Sequence, residues 1–390
     1  MTSVTDTPAR SGVRSTGRIL VWDPLVRIFH WSLLAAVAGA GITGFVLDAP
    51  WLDVHIWSGA AVGLLIAIRL IWGLLGGTYA RFGGFIVGPR ALFTYLRALA
   101  NGTAPRHLGH NPAGGAMVLG LLGLLLALVI SGVIVLGGMF KTGPLAFWLS
   151  YDTTHDLAEL HEGLAIALLV LIALHVAGAI LESWREAENL PRAMLTGRKE
   201  HRPGDRLPSA TAARPMLAAG LATAMIGAAI WGGLTLSARP GYGVPAPIPN
   251  AAYRRECGEC HMAFAPSLLR REAWVMLMAG LDAHFGEDAS LDPATAAGIT
   301  AWLGANASET ADTRPAHVFA RTDPAQPFSL TASRFWKRKH RDIDASVFAA
   351  APVFSRANCL ACHSDAETGL FYPGNIAIPR MTIPAKETTE

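Results

Sequence analysis

The chain has 390 residues, 52% of them hydrophobic and only 16% charged, with a mean hydropathy of +0.35. That balance points to a membrane protein with room for more than one domain. A formal net charge of +3 is too small to indicate a nucleic-acid binder, so the placement of the charges matters more than their sum.

Residues 1–27 are polar and carry Arg10, Arg14, Arg18 and Arg27. They lack the apolar core of a cleavable signal peptide, and the apolar run that follows, 28–47, is long enough to be a retained membrane helix. A short acidic turn, 48–53, leads to a second span over 54–75, with Arg69 near its end. The loop 76–112 contains Arg81, Arg90, Arg97 and Arg106, with an amphipathic helix expected around 91–99. Asn111 and Pro112 offer an N-cap and first-turn proline for a third span over 113–138, which has neither charge nor histidine. A polar, aromatic loop (139–159) precedes the fourth span, which runs to about residue 181. A basic stretch then leads to a fifth apolar run, 216–236, whose Gly220, Ala224, Gly227 and Ala228 suit close helix packing. Four prolines in 239–250 read as a stiff linker, and from Ala251 the composition is that of a soluble domain. The expected domains are therefore 1–200 (four spans), 201–238 (a fifth span with its basic lead-in), 239–250 (linker) and 251–390.

Orientation follows from the charges. Segments 1–27, 76–112 and 182–215 hold 4, 4 and 7 Lys/Arg, whereas 48–53 holds none and 139–159 holds only Lys141. The positive-inside rule puts the N-terminus in the cytoplasm and, after five spans, the C-terminal domain in the periplasm of a bacterial inner membrane.

The fourth span carries His161 and His175, fourteen residues apart. That is close to four helical turns, so both leave one face, roughly 21 Å apart along the axis. Ionisable side chains inside a span mark function. His30 opens the first span at the cytoplasmic face and His55 opens the second at the periplasmic face. The depths pair His30 with His175 on the inner side and His55 with His161 on the outer side. Two imidazoles fill both axial positions of a haem iron, so the four histidines predict two stacked b haems. A lone histidine at a helix start more often serves the interface. A shared zinc or copper site lacks matching carboxylates, and its ligands would lie too far apart.

Every cysteine lies in one of two Cys-x-x-Cys-His motifs, Cys257, Cys260, His261 and Cys359, Cys362, His363. This is the pattern of covalent c-type haem attachment: two thiols add to the two vinyl groups, and the next histidine reaches the iron. Two such pairs converging on one zinc is the alternative, and a histidine directly after each pair argues against it. The second axial ligands remain open among His284, His317, His340 and methionines such as Met262, Met276 and Met278.

Val21-Trp22-Asp23-Pro24, Phe29-His30-Trp31, Val54-His55-Ile56-Trp57-Ser58-Gly59, Gly109-His110-Asn111-Pro112, Leu160-His161-Glu162-Gly163 and Leu174-His175-Val176 resemble the bacterial cytochrome b561 and nickel-iron-hydrogenase-type b cytochromes over about 18–200. The resemblance implies a four-helix bundle with two b haems on His30, His55, His161 and His175, exchanging electrons with quinone. The stretch from Ala273-Trp274 to Leu291-Asp292, with Lys339-His340-Arg341, resembles the periplasmic dihaem cytochromes c over about 250–375. That likeness implies bis-histidine c haems with His284 and His340 as distal ligands, and a small soluble cytochrome as acceptor.

The expected fold is all-α: a membrane four-helix bundle, a fifth span and a small dihaem domain. The expected function is electron transfer between the quinone pool and a soluble periplasmic redox protein through two b haems and two c haems, among membrane lipid and without nucleic acid. Rival readings are a superoxide oxidase and an electron-accepting anchor of a periplasmic dehydrogenase or hydrogenase. Arg69, Glu162, Glu182 or the 139–159 loop could each supply a polar group to a quinone site, while His107, His110 and His155 are expected in ordinary surface or capping roles.

Overall fold

Among the described residues, five helices are long and apolar enough to cross a membrane. In chain order the helices are α1 (Pro24–Phe45), α2 (Leu52–Leu75), the short α3 (Pro89–Ala100), α4 (Pro112–Met139), α5 (His155–Arg185), α6 (Leu190–Thr196) and α7 (Pro215–Ser237). The C-terminal domain adds α8 (Ala251–Cys257), α9 (Arg271–Ala279), α10 (Pro293–Ala305), α11 (Arg314–Phe319), α12 (Arg334–Lys339) and α13 (Ala345–Ala349). The structure is a computed structural model that describes residues 17–246, 250–321 and 326–379; Arg10, Arg14 and linker residues 247–249 lie outside these. The helices overrun the apolar segments by a few residues at most ends. Hydropathy marks the lipid-facing length, whereas a helix continues until its backbone is capped. Thus α5 runs on to Arg185, four residues past the apolar segment. Among the described residues the all-α expectation holds apart from one ribbon, β1 (Arg18–Leu20) paired antiparallel with β2 (Arg198–Glu200).

Compactness divides the chain into two units. The first comprises Met1–Ala38, Ala60–Leu128 and Gly163–Ala228. Asp23 caps α1 by accepting from the Val26 N–H at 2.9 Å and from Trp72 Nε1 at 2.9 Å, the Pro24 N1 position needing no donor. Val21, Trp22, Val26, Trp72, Leu108, Ala193 and Ala218 form its core. Gly197 closes α6 with φ +78 and accepts from the N–H groups of both Val21 and Trp22. A Cβ there would stand 2.5 Å from the Trp22 carbonyl, so only glycine allows this approach. Arg106 gathers Glu188 (2.8 Å), Asp205 and Glu186, and Lys199 pairs with Glu188 at 3.3 Å. This network ties the loop before α4 to the segment after α5.

The second unit comprises Gly39–Gly59, Val129–Glu162 and Ala229–Glu390. Its soluble core packs Tyr253, Leu269, Trp274, Met278, Ile299 and Leu303 between α8, α9 and α10. Tyr253 Oη donates to the Phe264 carbonyl at 2.7 Å and Trp274 Nε1 to that of Pro266 at 2.7 Å, which satisfies the polar ends of both buried rings. Asp312 is the junction with the loop after α4. It accepts from Lys141 Nζ (2.7 Å), the Tyr151 N–H (2.8 Å) and His317 Nε2 (2.8 Å). The linker is held there too: the Tyr242 N–H donates to the Ala146 carbonyl at 2.8 Å and the Asp312 N–H to that of Gly243 at 2.7 Å.

Candidate functional site

Four pairs of imidazoles face each other. In the first unit the rings of His30 on α1 and His175 on α5 have centres 6.4 Å apart. In the second, His55 on α2 and His161 on α5 stand 6.1 Å apart. His261, after the first cysteine pair, faces His284 at 6.1 Å, and His363, after the second, faces His340 at 6.1 Å. Metal–imidazole bonds are roughly 2 Å, and a ring centre lies about 1 Å beyond its bonded nitrogen, so two rings on one metal have centres about 6 Å apart. One separation, reproduced four times, fits a single six-coordinate iron in each gap.

Hydrogen bonds on Nδ1 orient several of the rings and leave Nε2 to face the gap. His55 Nδ1 donates to the Ala40 carbonyl at 3.0 Å, and His161 Nδ1 lies 2.8 Å from Ser131 Oγ. His261 Nδ1 donates to the Met262 carbonyl at 2.8 Å, and His340 Nδ1 to that of Trp336 at 2.9 Å, its ring stacked on the indole at 4.3 Å. Two glycines open space at the His55–His161 pair. A Cβ on Gly44 would stand 3.2 Å from His55 Cε1, and one on Gly132 would stand 3.3 Å from His161 Cε1.

The soluble sites are chemically suited to covalent haem. Burial, then the facing His261, lowers the His284 pKa, and burial, then His340, lowers that of His363, so the neutral, ligating imidazole prevails. Burial, then Glu256, pushes the Cys257 thiol up to about 11, and burial lifts Cys359 to about 11. Among the described residues no three His, Cys, Asp or Glu side chains converge as a metal cluster; each cysteine pair keeps its own histidine pair. Phe285 beside His284 and Phe371 beside His363 hold positive φ, 51° and 50°. Such bulky residues rarely adopt that conformation; Phe285 directly follows His284, and Phe371 packs on the His363 ring from a later segment at 5.2 Å.

The other candidates are engaged elsewhere. His317 bonds Asp312 and stacks on Tyr151 at 4.5 Å. Met262 and Met278 are buried, Met278 in the domain core, and Met276 is exposed. Arg69 is buried, donating to the Ala80 carbonyl at 3.1 Å beneath the Phe82 ring, and Glu182 is taken up by Asn111 and Arg185. His107 and His155 make local carbonyl contacts, as expected. His110 departs from the surface role expected of it: its ring packs between Trp22 (4.8 Å) and Phe85 (4.6 Å), and its buried Nδ1 has no partner. Burial, then the Arg69 charge, lowers its pKa to about 3. Sequence reasoning also missed Ser131, Gly44, Gly132 and Asp312, of which only Gly44, eleven residues before His55 across a turn, carried even a weak signal.

A helical membrane bundle with two histidine pairs, joined to a domain with two Cys-x-x-Cys-His sites, defines a membrane-anchored multihaem cytochrome that transfers electrons across the bilayer. The description "Prokaryotic cytochrome b561" matches residues 21–197 and "Dihaem cytochrome c" matches residues 253–371, so the N-terminal part is similar to the first family and the C-terminal part to the second. A probable Ni/Fe-hydrogenase B-type cytochrome subunit of Bradyrhizobium diazoefficiens is 21% identical over 228 residues, 49% of this chain and 91% of the relative. Among solved structures, a dihaem cytochrome c of Shewanella baltica is 36% identical over 34% of this chain and 95% of its own, with a TM-score of 0.27. One of Rhodobacter sphaeroides is 38% identical over 31% of this chain and 96% of its own, also with a TM-score of 0.27.

Proposed function

We propose that the protein carries electrons between the membrane quinone pool and a soluble periplasmic redox protein. His30 with His175 and His55 with His161 each hold one haem b. Cys257, Cys260 and His261 with His284, and Cys359, Cys362 and His363 with His340, each hold one haem c. The carrying observation is the repeated 6.1–6.4 Å ring separation in four independent pairs. A haem held by two histidines would supply a one-electron carrier, which suits outer-sphere transfer rather than substrate turnover. The protein's part is to hold the rings, exclude water and fix the order of the sites.

Support for the quinone end comes from an apolar cavity of about 250 Å³ lined by Ile86, Val87, Leu92, Pro112, Ala116 and Leu119. It is small against the ~300–1,000 Å³ of whole-ligand pockets, so it suits a ring rather than an entire isoprenoid quinone. Phe85, next to this lining, packs on His110. The N-terminus is cytoplasmic and the dihaem domain periplasmic in this reading, on the charge asymmetry of the loops.

Stopped-flow mixing of the purified protein with a quinol, following the b and c absorption bands separately, tests the function. Reduction of the b band followed by the c band is expected. A c band that rises without the b band, or no reduction by quinol, contradicts it.

A further inference from the structure

The two c sites are not equivalent with respect to the outer membrane pair. The 3-10 turn Ala49–Trp51, which runs directly into α2, packs on the 3-10 turn Pro373–Asn375. Tyr372 Oη donates to Asp53 Oδ1 at 2.6 Å. A Cβ on Gly374 would stand 2.6 Å from Asp53 Oδ2, so the backbone there approaches the carboxylate as only glycine permits. Asp53 precedes His55 by two residues in the same helix, about 3 Å of rise.

The same C-terminal segment is laced to the second attachment motif. The Ala377 N–H donates to the Cys362 carbonyl at 2.8 Å and the Ser364 N–H to that of Asn375 at 3.3 Å. His363 and Ile376 form an isolated bridge. The Tyr372 N–H donates to Asp365 Oδ2 at 2.7 Å, and Phe371 lies 5.2 Å from the His363 ring. One stretch of seven residues, 371–377, thus touches both the His363 motif and the turn that positions His55. The first motif has a different setting. Cys260 is exposed, and the turn that presents His284 carries Phe285 at 66% exposure.

We infer that the Cys359–Cys362–His363 site is the junction with the outer membrane pair, that Tyr372 and Asp53 are its positioning residues, and that the His261–His284 site is the outlet to the soluble partner. The inference rests on the ligand reading above but not on the quinone. Order along the chain would suggest the reverse, because the first motif follows the last membrane helix most closely. The fold instead brings the C-terminal segment back to α2.

The test uses the full-length protein in liposomes, reduced completely with dithionite and mixed with ferricyanide, with b-band oxidation followed. The Cys359→Ser/Cys362→Ser variant should slow b-band oxidation at least about tenfold, equivalent to ~1.4 kcal/mol of barrier. The Cys257→Ser/Cys260→Ser variant, which removes the outlet, should slow it less, because the b sites can still pass electrons to the Cys359–Cys362–His363 site. The opposite pattern overturns the order. Should either double variant fail to fold, Tyr372→Phe and Asp53→Asn, which spare every proposed ligand, decide the matter. They should slow b-band oxidation severalfold without changing direct c-band oxidation, and speed hydrogen–deuterium exchange in 49–53 and 372–377. Unchanged b-band oxidation in both overturns the inference. No quinone enters the experiment, so a protein that quinol fails to reduce contradicts the proposed function and leaves this result readable.

Discussion

Ser131 Oγ on α4 lies 2.8 Å from His161 Nδ1 on α5. A helix that holds no histidine therefore shapes the His55–His161 pair, and Gly132 beside Ser131 leaves the space the ring needs. Partners of this kind fix ring orientation, and losing them weakens metal binding by ~10–100-fold. Ser131→Ala is expected to lower outer haem b affinity by about tenfold, while inner haem b and both c haems stay at full occupancy. Haem titration of the apo-membrane form, read by the b band, checks this; equal loss at both b sites would contradict it.

Gly44 faces His55 as Gly132 faces His161. A Cβ 3.2 Å from an imidazole carbon can be absorbed only if the ring gives way, and a branched side chain cannot be. Gly44→Val is expected to halve the haem b content without altering haem c. Full b content in a folded Gly44→Val protein would show that the ring does not need that space.

The Lys141–Asp312 pair should be the strongest single tie within the second unit. The Lys141 side chain is 1% exposed and that of Asp312 17% exposed, and removing one partner of a buried pair costs ~3–5 kcal/mol. With Asp312 partly hydrated, Asp312→Ala should cost nearer ~3 kcal/mol. Limited proteolysis should then cut faster within 239–246, which Asp312 helps hold through Gly243. An unchanged cleavage rate would contradict the clamp.

The Arg106 network carries a pH dependence with a definite sign. Burial alone would raise Glu188 and Asp205, but hydrogen bonds from Arg106 and from backbone N–H groups outweigh it and hold both below the usual carboxylate range. Depressed carboxylates stabilise the fold above their unfolded pKa, about 4, and that contribution is lost as pH falls through their folded values. Glu186 runs the other way, raised first by burial, so it takes up a proton earlier. Exchange at 198–206 should therefore accelerate below about pH 4, and Arg106→Ala should produce the same acceleration at neutral pH. Protection unaltered by either change would remove the network from the account.

Much of this architecture is legible in the sequence, for identifiable reasons. His161 and His175 are readable because helical periodicity converts a fourteen-residue spacing into a shared face. Asn111-Pro112 is readable because caps act locally; Asn111 Oδ1 accepts from the Gly114 N–H at 2.7 Å. Ser131 is silent because a hydroxyl within an apolar span disturbs no pattern. The pairing of His284 with the first motif and His340 with the second depends on the turn at Phe285 and on the end of α12, where Trp336 holds the His340 ring, so spacing alone leaves it open. Asp312 and Tyr372 lie 171 and 319 residues from the partners they bind, Lys141 and Asp53, beyond any local rule. His110 was misread because a loop position suggests exposure, whereas Trp22 and Phe85 enclose the ring.

The central claim, that four histidine pairs hold four haems, is tested most directly by haem stoichiometry in single-ligand variants. The unaltered protein should show b and c haem in equal amount. His161→Ala and His175→Ala should each remove half of the b haem from opposite sites and leave c haem untouched. A sample with c-type absorption alone, or b content unchanged in both variants, would contradict the account.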